Sequence, residues 1–305
     1  MLKSKTFPSL VGVLLILAML PFGVSGYILG LLTLGYYTAV FAMSWDLLFG
    51  FAGEVNFGPS FLIGVGAYTA GLLNHYQAWP IWACVIAGGA MSIIAGLVLA
   101  VPALRLKGPY FGLVTLVAVL MLQNFIVLFA GITGGEIGLD LPDVLSVDDS
   151  SNYWIALAFM GVSGLILFGL SRSAVGLILQ ASGQDSVQAG ALGFNVTKHK
   201  LAAFCISALF SGLSGAMLVF YEGTVSVGTV VDIAVGVNVI IAAVLGGRRT
   251  ILGAAIGAIF LIGAGELLRP LGDLATFIVS AVALAVVLVF PGGLIGMFSG
   301  SRGAA

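Results

Sequence analysis

The sequence has very little charge. Its 305 residues include 11 lysines and arginines and 12 aspartates and glutamates, so 8% of the chain is charged, against roughly 25% in soluble domains. A chain that is 60% hydrophobic is not a soluble globular domain, and without a basic cluster it has no surface for nucleic acid. The composition predicts an all-α, polytopic integral membrane protein surrounded by lipid.

Residues that bind metals or carry out catalysis are also scarce. The two cysteines, Cys84 and Cys205, lie inside apolar runs and the chain has no CxxC, so the sequence predicts neither a disulfide framework nor a metal site. No lysine follows a glycine, so the phosphate-binding loop of ATPases is missing and the chain cannot hydrolyse ATP alone. We therefore expect no catalytic site and no cofactor in this chain.

Ten apolar stretches approach the roughly 20 residues that a helix needs to cross a bilayer. The first follows Lys3 and Lys5 and could be a cleaved signal peptide, but its length favours a retained helix. The ten predicted spans are residues 7–24, 27–49, 60–74, 81–103, 110–131, 153–170, 199–221, 232–245, 251–268 and 274–290.

The basic residues test this arrangement, because cytoplasmic loops are enriched in lysine and arginine. With both termini in the cytoplasm, only Arg269 of the 11 basic residues falls outside. The inner ones are Lys3, Lys5, Arg105, Lys107, Arg172, Lys198, Lys200, Arg248, Arg249 and Arg302. The loop 132–152 is then external and contains acidic residues but no basic one. The counts predict cytoplasmic N- and C-termini and an external acidic loop.

The longest internal polar stretch, residues 172–200, lies on the predicted cytoplasmic side. Ser182 and Asp185 have the spacing of a capping box, in which a hydroxyl and an acid satisfy free amides at the start of a helix. Gly193 stands where a left-handed residue would end that helix after about ten residues, and Asn195 can cap the next one. Such a short helix could enter a groove on another protein or lie on lipid headgroups.

A second irregular stretch follows the second span. Between residues 50 and 59, glycines, acids and a proline interrupt the hydrophobicity, so helix cannot run smoothly through it. Irregular backbone at membrane depth is tolerated where it is buried or lines a cavity, so this stretch is a candidate solute path, with a packed kink or an inner loop as the alternative. The candidate path residues are Glu54, Asn56, Phe57 and Gly58 here, and Thr133, Gly134 and Gly135 in a segment that could instead be an external turn.

Acidic residues in mid-span are typical of carriers driven by protons or sodium. In this chain only Asp46 and Glu54 are candidates for such a position. The other acids near spans are predicted close to the outer face, and they are Glu222, Asp232, Glu266 and Asp273. The sequence therefore favours a passage that needs an external source of energy over an ion-coupled carrier or a channel.

Small residues recur at four-residue spacing in two spans. Gly253 and Gly257 form a GxxxG motif, and Ser207, Ser211 and Gly215 continue the same spacing in an earlier span. Small side chains let helix backbones approach closely in membranes. We expect both faces to be packing faces.

Several segments resemble permeases of the branched-chain amino-acid ABC transporter family of the Liv type, most closely the M subunit. They cover about residues 40–298 in the order and spacing of the family. The segments are MSWDLLFGFAGEVNFGPSFLIGVGAYTAGLL, GPYFGLVTL, ITGGEIGL, GALGFNVTKHKLAAFCISALFSGLSGAM, VLGG with ILGA, and FPGGLIGMF.

The resemblance implies ten helices per subunit, a second homologous permease subunit, two cytoplasmic ATPase subunits that bind ATP and magnesium, and a periplasmic solute-binding protein. It also implies that the polar stretch 172–200 is a coupling loop whose short helix enters a groove on an ATPase, which favours docking over lipid contact. The implied coupling residues are Ser182, Gly183, Asp185, Ala189, Gly190, Leu192 and Gly193.

Together these features predict that residues 1–305 form a single membrane-spanning permease domain of the bacterial inner membrane. Its expected function is to translocate a small polar solute, branched-chain or other amino acids, when partner ATPases hydrolyse ATP. Urea, short amides and organic acids are alternative solutes within the family. A self-sufficient channel or an ion-coupled carrier is the alternative from another class.

Overall fold

A computed structural model describes residues 17–106 and 109–272, together with positions 274, 278, 281, 293 and 294. Most of the first predicted span and nearly all of the tenth lie outside the described residues. The helices are α1 (Gly26–Asp46), α2 (Pro59–Gln77), α3 (Ile81–Ala103), α4 (Tyr110–Leu128), α5 (Ala130–Thr133), α6 (Asp149–Ser171), α7 (Ala174–Gln184), α8 (Ser186–Ala191), α9 (Val196–Glu222), α10 (Val227–Val230), α11 (Ile233–Gly246) and α12 (Ile251–Leu268).

Seven helical stretches of the described chain are long and apolar enough to cross a membrane. Each coincides with a predicted span, and α12 begins and ends at the predicted residues. α2 covers an eighth predicted span. Capping explains one boundary well: Asn195 Oδ1 accepts a hydrogen bond from the Lys198 amide at the start of α9, and Gly223, with φ of 72°, ends that helix. These helices confirm an all-α, polytopic membrane protein.

The centre of the bundle is formed by α1 and α9. α9 packs against α2 and α3, whereas α1 packs against α6 and α12, and the two central helices also contact each other. Ser44 and Ser211 share a hydrogen bond of 2.9 Å between their hydroxyls, and Ser214 Oγ donates to the Tyr37 carbonyl at 3.1 Å. Buried hydroxyls therefore join the central pair, as is common between membrane helices.

Glycines allow the close helix crossings, and the predicted packing faces are confirmed: a Cβ on Gly215 of α9 would lie 2.5 Å from the Ile63 carbonyl oxygen of α2. A Cβ on Gly66 of α2 would overlap the backbone of Gly212 of α9. A Cβ on Gly257 of α12 would overlap the Ala242 carbonyl of α11. Because backbone cannot yield as a flexible side chain can, these crossings require glycine.

The loop 132–152 folds over the ends of α2 and α9. Its strand β1 (Leu139–Asp140) pairs antiparallel with β2 (Thr224–Val225), which follows α9. Asn74 Nδ2 at the end of α2 donates to Asp143 Oδ2 at 2.8 Å. Asp148 caps α6, and hydrogen bonds from Ser151 lower the pKa of its carboxyl.

The crossing of Gly66 and Gly212 gives a stability prediction. Gly66→Ala should lower the stability of the folded protein by about 1–3 kcal/mol, because the methyl group meets rigid backbone in a packed core. The measurement is the midpoint of unfolding in an SDS titration of the purified protein.

Gly169→Ala is the matched control, since a Cβ at Gly169 in α6 would meet no atom within 4 Å. That substitution should leave the midpoint unchanged or raise it slightly, because alanine favours helix over glycine by roughly 0.5–1 kcal/mol. Equal midpoints for Gly66→Ala and the wild type would contradict the close crossing.

Candidate functional site

The first candidate site is the break between α1 and α2. At its end α1 passes into a turn of π-helix, Leu47–Phe51, and Gly53 follows with φ of 74°. Regular helix resumes at Pro59, whose fixed φ suits a first helical turn. The interruption predicted from the sequence is confirmed.

Side chains bind the free backbone groups of this break. Trp45 Nε1 donates to the carbonyl oxygen of Asn56 at 2.7 Å, the amide of Phe57 donates to Thr115 Oγ1 at 3.0 Å, and the amide of Gly58 donates to Asn56 Oδ1 at 2.8 Å. Asn56 itself is only 1% exposed. The contacts of Asn56 are those of a residue that holds the break in shape, and its contact with a solute stays a prediction.

The break lies among helices. A Cβ on Gly58 would overlap the carbonyl of Thr115, which is five residues, or roughly 7.5 Å, into α4. Gly236, near the start of α11, faces the buried Ser60 from the other side. The ring of Phe57 is 42% exposed. The break is thus enclosed by protein on two sides, the setting in which a membrane tolerates irregular backbone.

Glu54, a predicted path residue, forms an ion pair. Lys200 Nζ lies 2.6 Å from Glu54 Oε1, and the two side chains are 14% and 18% exposed. Lys200 belongs to the first turns of α9 and is the last residue of the polar stretch 172–200. The pair therefore joins the break to the beginning of a central helix, and the carboxylate of Glu54 is already engaged.

The polar stretch 172–200 folds differently from the prediction, which placed one helix of about ten residues from Ser182 to Gly193. Instead, Ser173 caps α7, and Ser182 is a buried residue inside that helix. Asp185 is the capping residue of α8, because its Oδ1 accepts from the amides of residues 187 and 188 at 2.9 Å each. The capping box is therefore wrong, and α8 has six residues.

Gly183 gives the physical reason for this difference. A Cβ at Gly183 would lie 2.6 Å from the Phe51 carbonyl oxygen and 3.0 Å from the Gly53 nitrogen, so the backbone of α7 rests on the break. The residue that packs against the break, Gly183, is part of helical backbone. α7 therefore continues past Ser182. Among the described residues, the hydroxyl of Ser182 has no hydrogen-bond partner.

α8 and the turn after it present an apolar surface. Val187 is 79% exposed, Leu192 74% and Phe194 39%, and a Cβ on Gly190 would meet no atom within 4 Å. We call these four residues the α8 surface. Its opposite side is anchored by the buried Ala189.

The predicted left-handed end of this segment is confirmed. Gly193 has φ of 88°, and its amide donates to the Gly190 carbonyl at 2.9 Å. Exposed apolar residues on a short capped helix favour a protein partner.

Arg248 and Arg249, between α11 and α12, bind the end of α1. The backbone amide of Arg249 donates to Asp46 Oδ1 at 3.1 Å. The side-chain Nε of Arg249 donates to the Gly50 carbonyl at 2.9 Å. The guanidinium of Arg248 lies 4.4 Å from the centre of the Phe49 ring. Asp46 is buried, and it ties α1 to the connection between the last two described helices.

The contacts of Thr133, Gly134 and Gly135 are those of a turn. Thr133 Oγ1 donates to the Ile126 carbonyl at 2.6 Å, and the amide of Gly135 donates back to Thr133 Oγ1 at 3.3 Å. Both glycines have positive φ, 76° and 60°. This geometry agrees with the external-turn alternative, and contact of these residues with a solute stays a prediction.

A cavity of about 440 Å³ opens between α1, α9, α10, α11 and α12, and we call it the outer groove. Its polar side chains are Thr38, Glu222, Thr229, Asn238 and Glu266. Most of the remaining wall is aliphatic, with Leu31, Leu34, Leu218, Val235, Val239 and Leu261 among its residues. None of the predicted path residues lines it.

Sequence reasoning missed this groove because its walls come from five separate helices. The one local signal was Asn238, a single amide inside the apolar run VNVIIAAV, since a polar residue within a membrane span marks a functional site by default. Glu222 and Glu266 were placed at the ends of spans, and the structure agrees with that position.

A bundle of membrane-spanning helices, with one helix broken among its neighbours and a groove of polar side chains, has the architecture of a membrane transport protein. The family model of the permease component of branched-chain amino acid transport systems matches residues 27–291. The chain belongs to this family, as the resemblance predicted. It is a permease component and not itself an enzyme.

Individual relatives agree. The chain is 27% identical to the high-affinity branched-chain amino acid transport system permease protein LivM of Salmonella typhimurium and 28% identical to LivM of Escherichia coli, over 97% of this chain and 76% of each relative. It is 25% identical to LivH of Escherichia coli over 87% of this chain and 92% of that protein. No solved structure matches the chain. The relatives and the seven apolar helices confirm a multi-pass protein of the bacterial inner membrane.

The ion pair between Glu54 and Lys200 can be tested by a double-mutant cycle. Glu54→Gln and Lys200→Met should each destabilise the protein, because each leaves a poorly exposed charge without its partner. The double variant should be less destabilised than the sum of the two, with an interaction energy of about 1–3 kcal/mol. Unfolding of the four proteins in SDS titrations measures this energy. Additive losses would show that the pair contributes nothing to the fold.

Proposed function

We propose that this chain is one permease subunit of an ABC importer that moves amino acids, branched-chain amino acids first among them, into the cell. The observation that carries the proposal is the family match over residues 27–291. Two cytoplasmic ATPase subunits would bind ATP and magnesium, and a periplasmic protein would deliver the solute. The chain itself would hold no cofactor.

The proposed subunit has ten spans with both termini in the cytoplasm, in a single permease domain of residues 1–305. Ten of its 11 basic residues then lie on the cytoplasmic side, together with residues 172–200. Loop 132–152 lies outside. Contacts within the structure suit this arrangement, since Gly183, Lys200 and Arg249, all assigned to the cytoplasmic side, meet around the break that contains Glu54.

A second permease subunit is part of the proposal. The chain is similar to both LivM and LivH, which are two different permease proteins of branched-chain amino acid transport in the same organism, Escherichia coli. A pair of related subunits would cover the polar outer groove, which in isolation would expose Glu222 and Asn238 at the side of the bundle.

The α8 surface is the proposed contact with an ATPase. Of the implied coupling residues, Gly190, Leu192 and Gly193 are exposed, while Ser182 and Ala189 are buried and Gly183 rests on the break. The exposed members would bind the partner, and the others would carry its movement to the break. α7 and α8 would thus link ATP hydrolysis to the region between α1 and α2.

Gly190→Arg tests this contact. The open space around Gly190 means that the substitution should not disturb the fold, yet a long charged side chain on the α8 surface should prevent docking. We expect a loss of co-purifying ATPase subunits of at least about tenfold, with unchanged amounts of permease in the membrane.

The control is Gly131→Arg, because Gly131 is equally open but lies in α5, which follows the proposed outer end of α4. It should retain the ATPases. Full retention of ATPases and full uptake in Gly190→Arg would reject the coupling role of α8. Uptake without any ATPase would favour an ion-coupled carrier instead.

The topology has its own test. Both native cysteines are first replaced by alanine. Single cysteines then report on the two sides of the membrane: Val147→Cys in the external loop and Ser186→Cys at the start of α8. Both positions are exposed, Val147 by 94%. An impermeant thiol reagent should label Val147→Cys in spheroplasts and Ser186→Cys only after lysis. Labelling of both in intact spheroplasts would refute the arrangement.

A further inference from the structure

The outer groove contains an exposed amide within a membrane-spanning helix. Asn238 is five residues into α11, and Gly236, just before it, lies against Ser60 at the start of α2. Among the described residues, the Asn238 side chain has no hydrogen-bond partner, whereas the hydroxyl of Thr38 in the same groove donates to its own helix at Leu34. An amide facing hydrocarbon is costly, and none of the described residues binds this one, so we expect Asn238 to face water, a solute or another subunit.

The two carboxylates of the groove differ in their partners. Glu266 accepts hydrogen bonds from the hydroxyl of Tyr27 and from Arg269 Nη1, so its charge is balanced. Within the described parts of the chain, no lysine or arginine lies within 4 Å of Glu222. Glu222 is therefore the carboxylate that is available to a cation.

The aliphatic wall of the groove restricts the class of ligand. A bare metal cation would need several oxygen ligands around it rather than leucines and valines. Urea or a short amide carries no charge to pair with a carboxylate. An acid, an amide and an aliphatic wall together suit a zwitterion with an apolar side chain, and about 440 Å³ falls within the roughly 300–1,000 Å³ of small-molecule sites.

We propose that the outer groove binds the solute amino acid during translocation, with the Glu222 carboxylate accepting hydrogen bonds from its ammonium group. The Asn238 amide donates to the carboxylate of the solute, and the aliphatic wall holds its side chain. This inference rests on the proposed function, because it assigns a binding site for the amino acids that the importer would carry.

The charge of the groove can be measured by thiol chemistry in the assembled complex. In a protein with Cys84→Ala and Cys205→Ala, Asn238→Cys should react with methanethiosulfonates, and the cationic reagent should react about five- to ten-fold faster than an anionic one of equal size. Glu222→Gln should abolish that preference. Glu266→Gln should preserve it, because the charge of Glu266 is already balanced.

The neighbouring residue Val237 provides a control for the position of the introduced thiol. Val237 is 44% exposed but does not line the groove, so Val237→Cys should face lipid and stay unreactive. Excess leucine should slow the reaction of Thr38→Cys, a groove position that leaves Glu222 and Asn238 intact, and 4-methylpentanoate, which lacks the ammonium group, should not. If Asn238→Cys fails to assemble, Thr38→Cys serves as the reporter.

Uptake gives the second readout. ATP-dependent leucine uptake by vesicles with Glu222→Gln should fall at least about tenfold, because a charge-assisted hydrogen bond is lost. Uptake is normalised to the amount of assembled complex in the vesicles. An unreactive Asn238→Cys, a cation preference that survives Glu222→Gln, or unchanged uptake would each overturn the site. Absence of leucine uptake by the wild-type complex would overturn the proposed function instead, and the thiol reactions would still decide whether the groove attracts cations.

Discussion

A helix that stops inside a packed bundle must have its free amides and carbonyls bound by protein, and this constraint governs the break between α1 and α2. Water cannot reach buried backbone groups freely, so each one needs a partner from the chain. Trp45, Asn56 and Thr115 supply those partners from α1, from the break itself and from α4. The break can therefore exist only while α1 and α4 stay in place around it. Its shape depends on tertiary packing rather than on local sequence.

Three further connections end at the same break. The backbone of α7 rests on it through Gly183, α9 is joined to it through Lys200 and Glu54, and Arg249 donates to the Gly50 carbonyl. α8 follows α7 directly and exposes its apolar surface beside this assembly. A force on α8 would reach α1, α2 and α9 through contacts that involve backbone or an ion pair. Such contacts resist sliding more than loose apolar packing does, so they suit the transmission of movement.

Sequence reasoning succeeded where local chemistry decides the structure and failed where distant contacts do. The bounds of α12 and the cap at Asn195 were predictable, because hydrophobic length and a capping amide act within a few residues. Ser182 and Asp185 also fit a local rule, the capping box, but Ser173 caps α7 earlier in the chain. Gly183 of that helix packs its backbone against the break. The sequence also placed the Glu54 carboxylate near the break without revealing Lys200, 146 residues away, as its partner.

The same two helices connect the break with the outer groove. One face of α1 contributes Leu31, Leu34 and Thr38 to the groove. The C-terminal end of the same helix continues into the π-helical turn of the break. α9 begins near the Lys200 ion pair and ends at Glu222, which lines the groove. A helix of 27 residues spans about 40 Å, and its hydrogen-bonded backbone moves largely as a rigid body. A tilt imposed at the break would therefore change the width of the groove at the far end. The central pair of α1 and α9 provides a physical link through which movement of α8 would alter the proposed solute site without any contact between α8 and the groove.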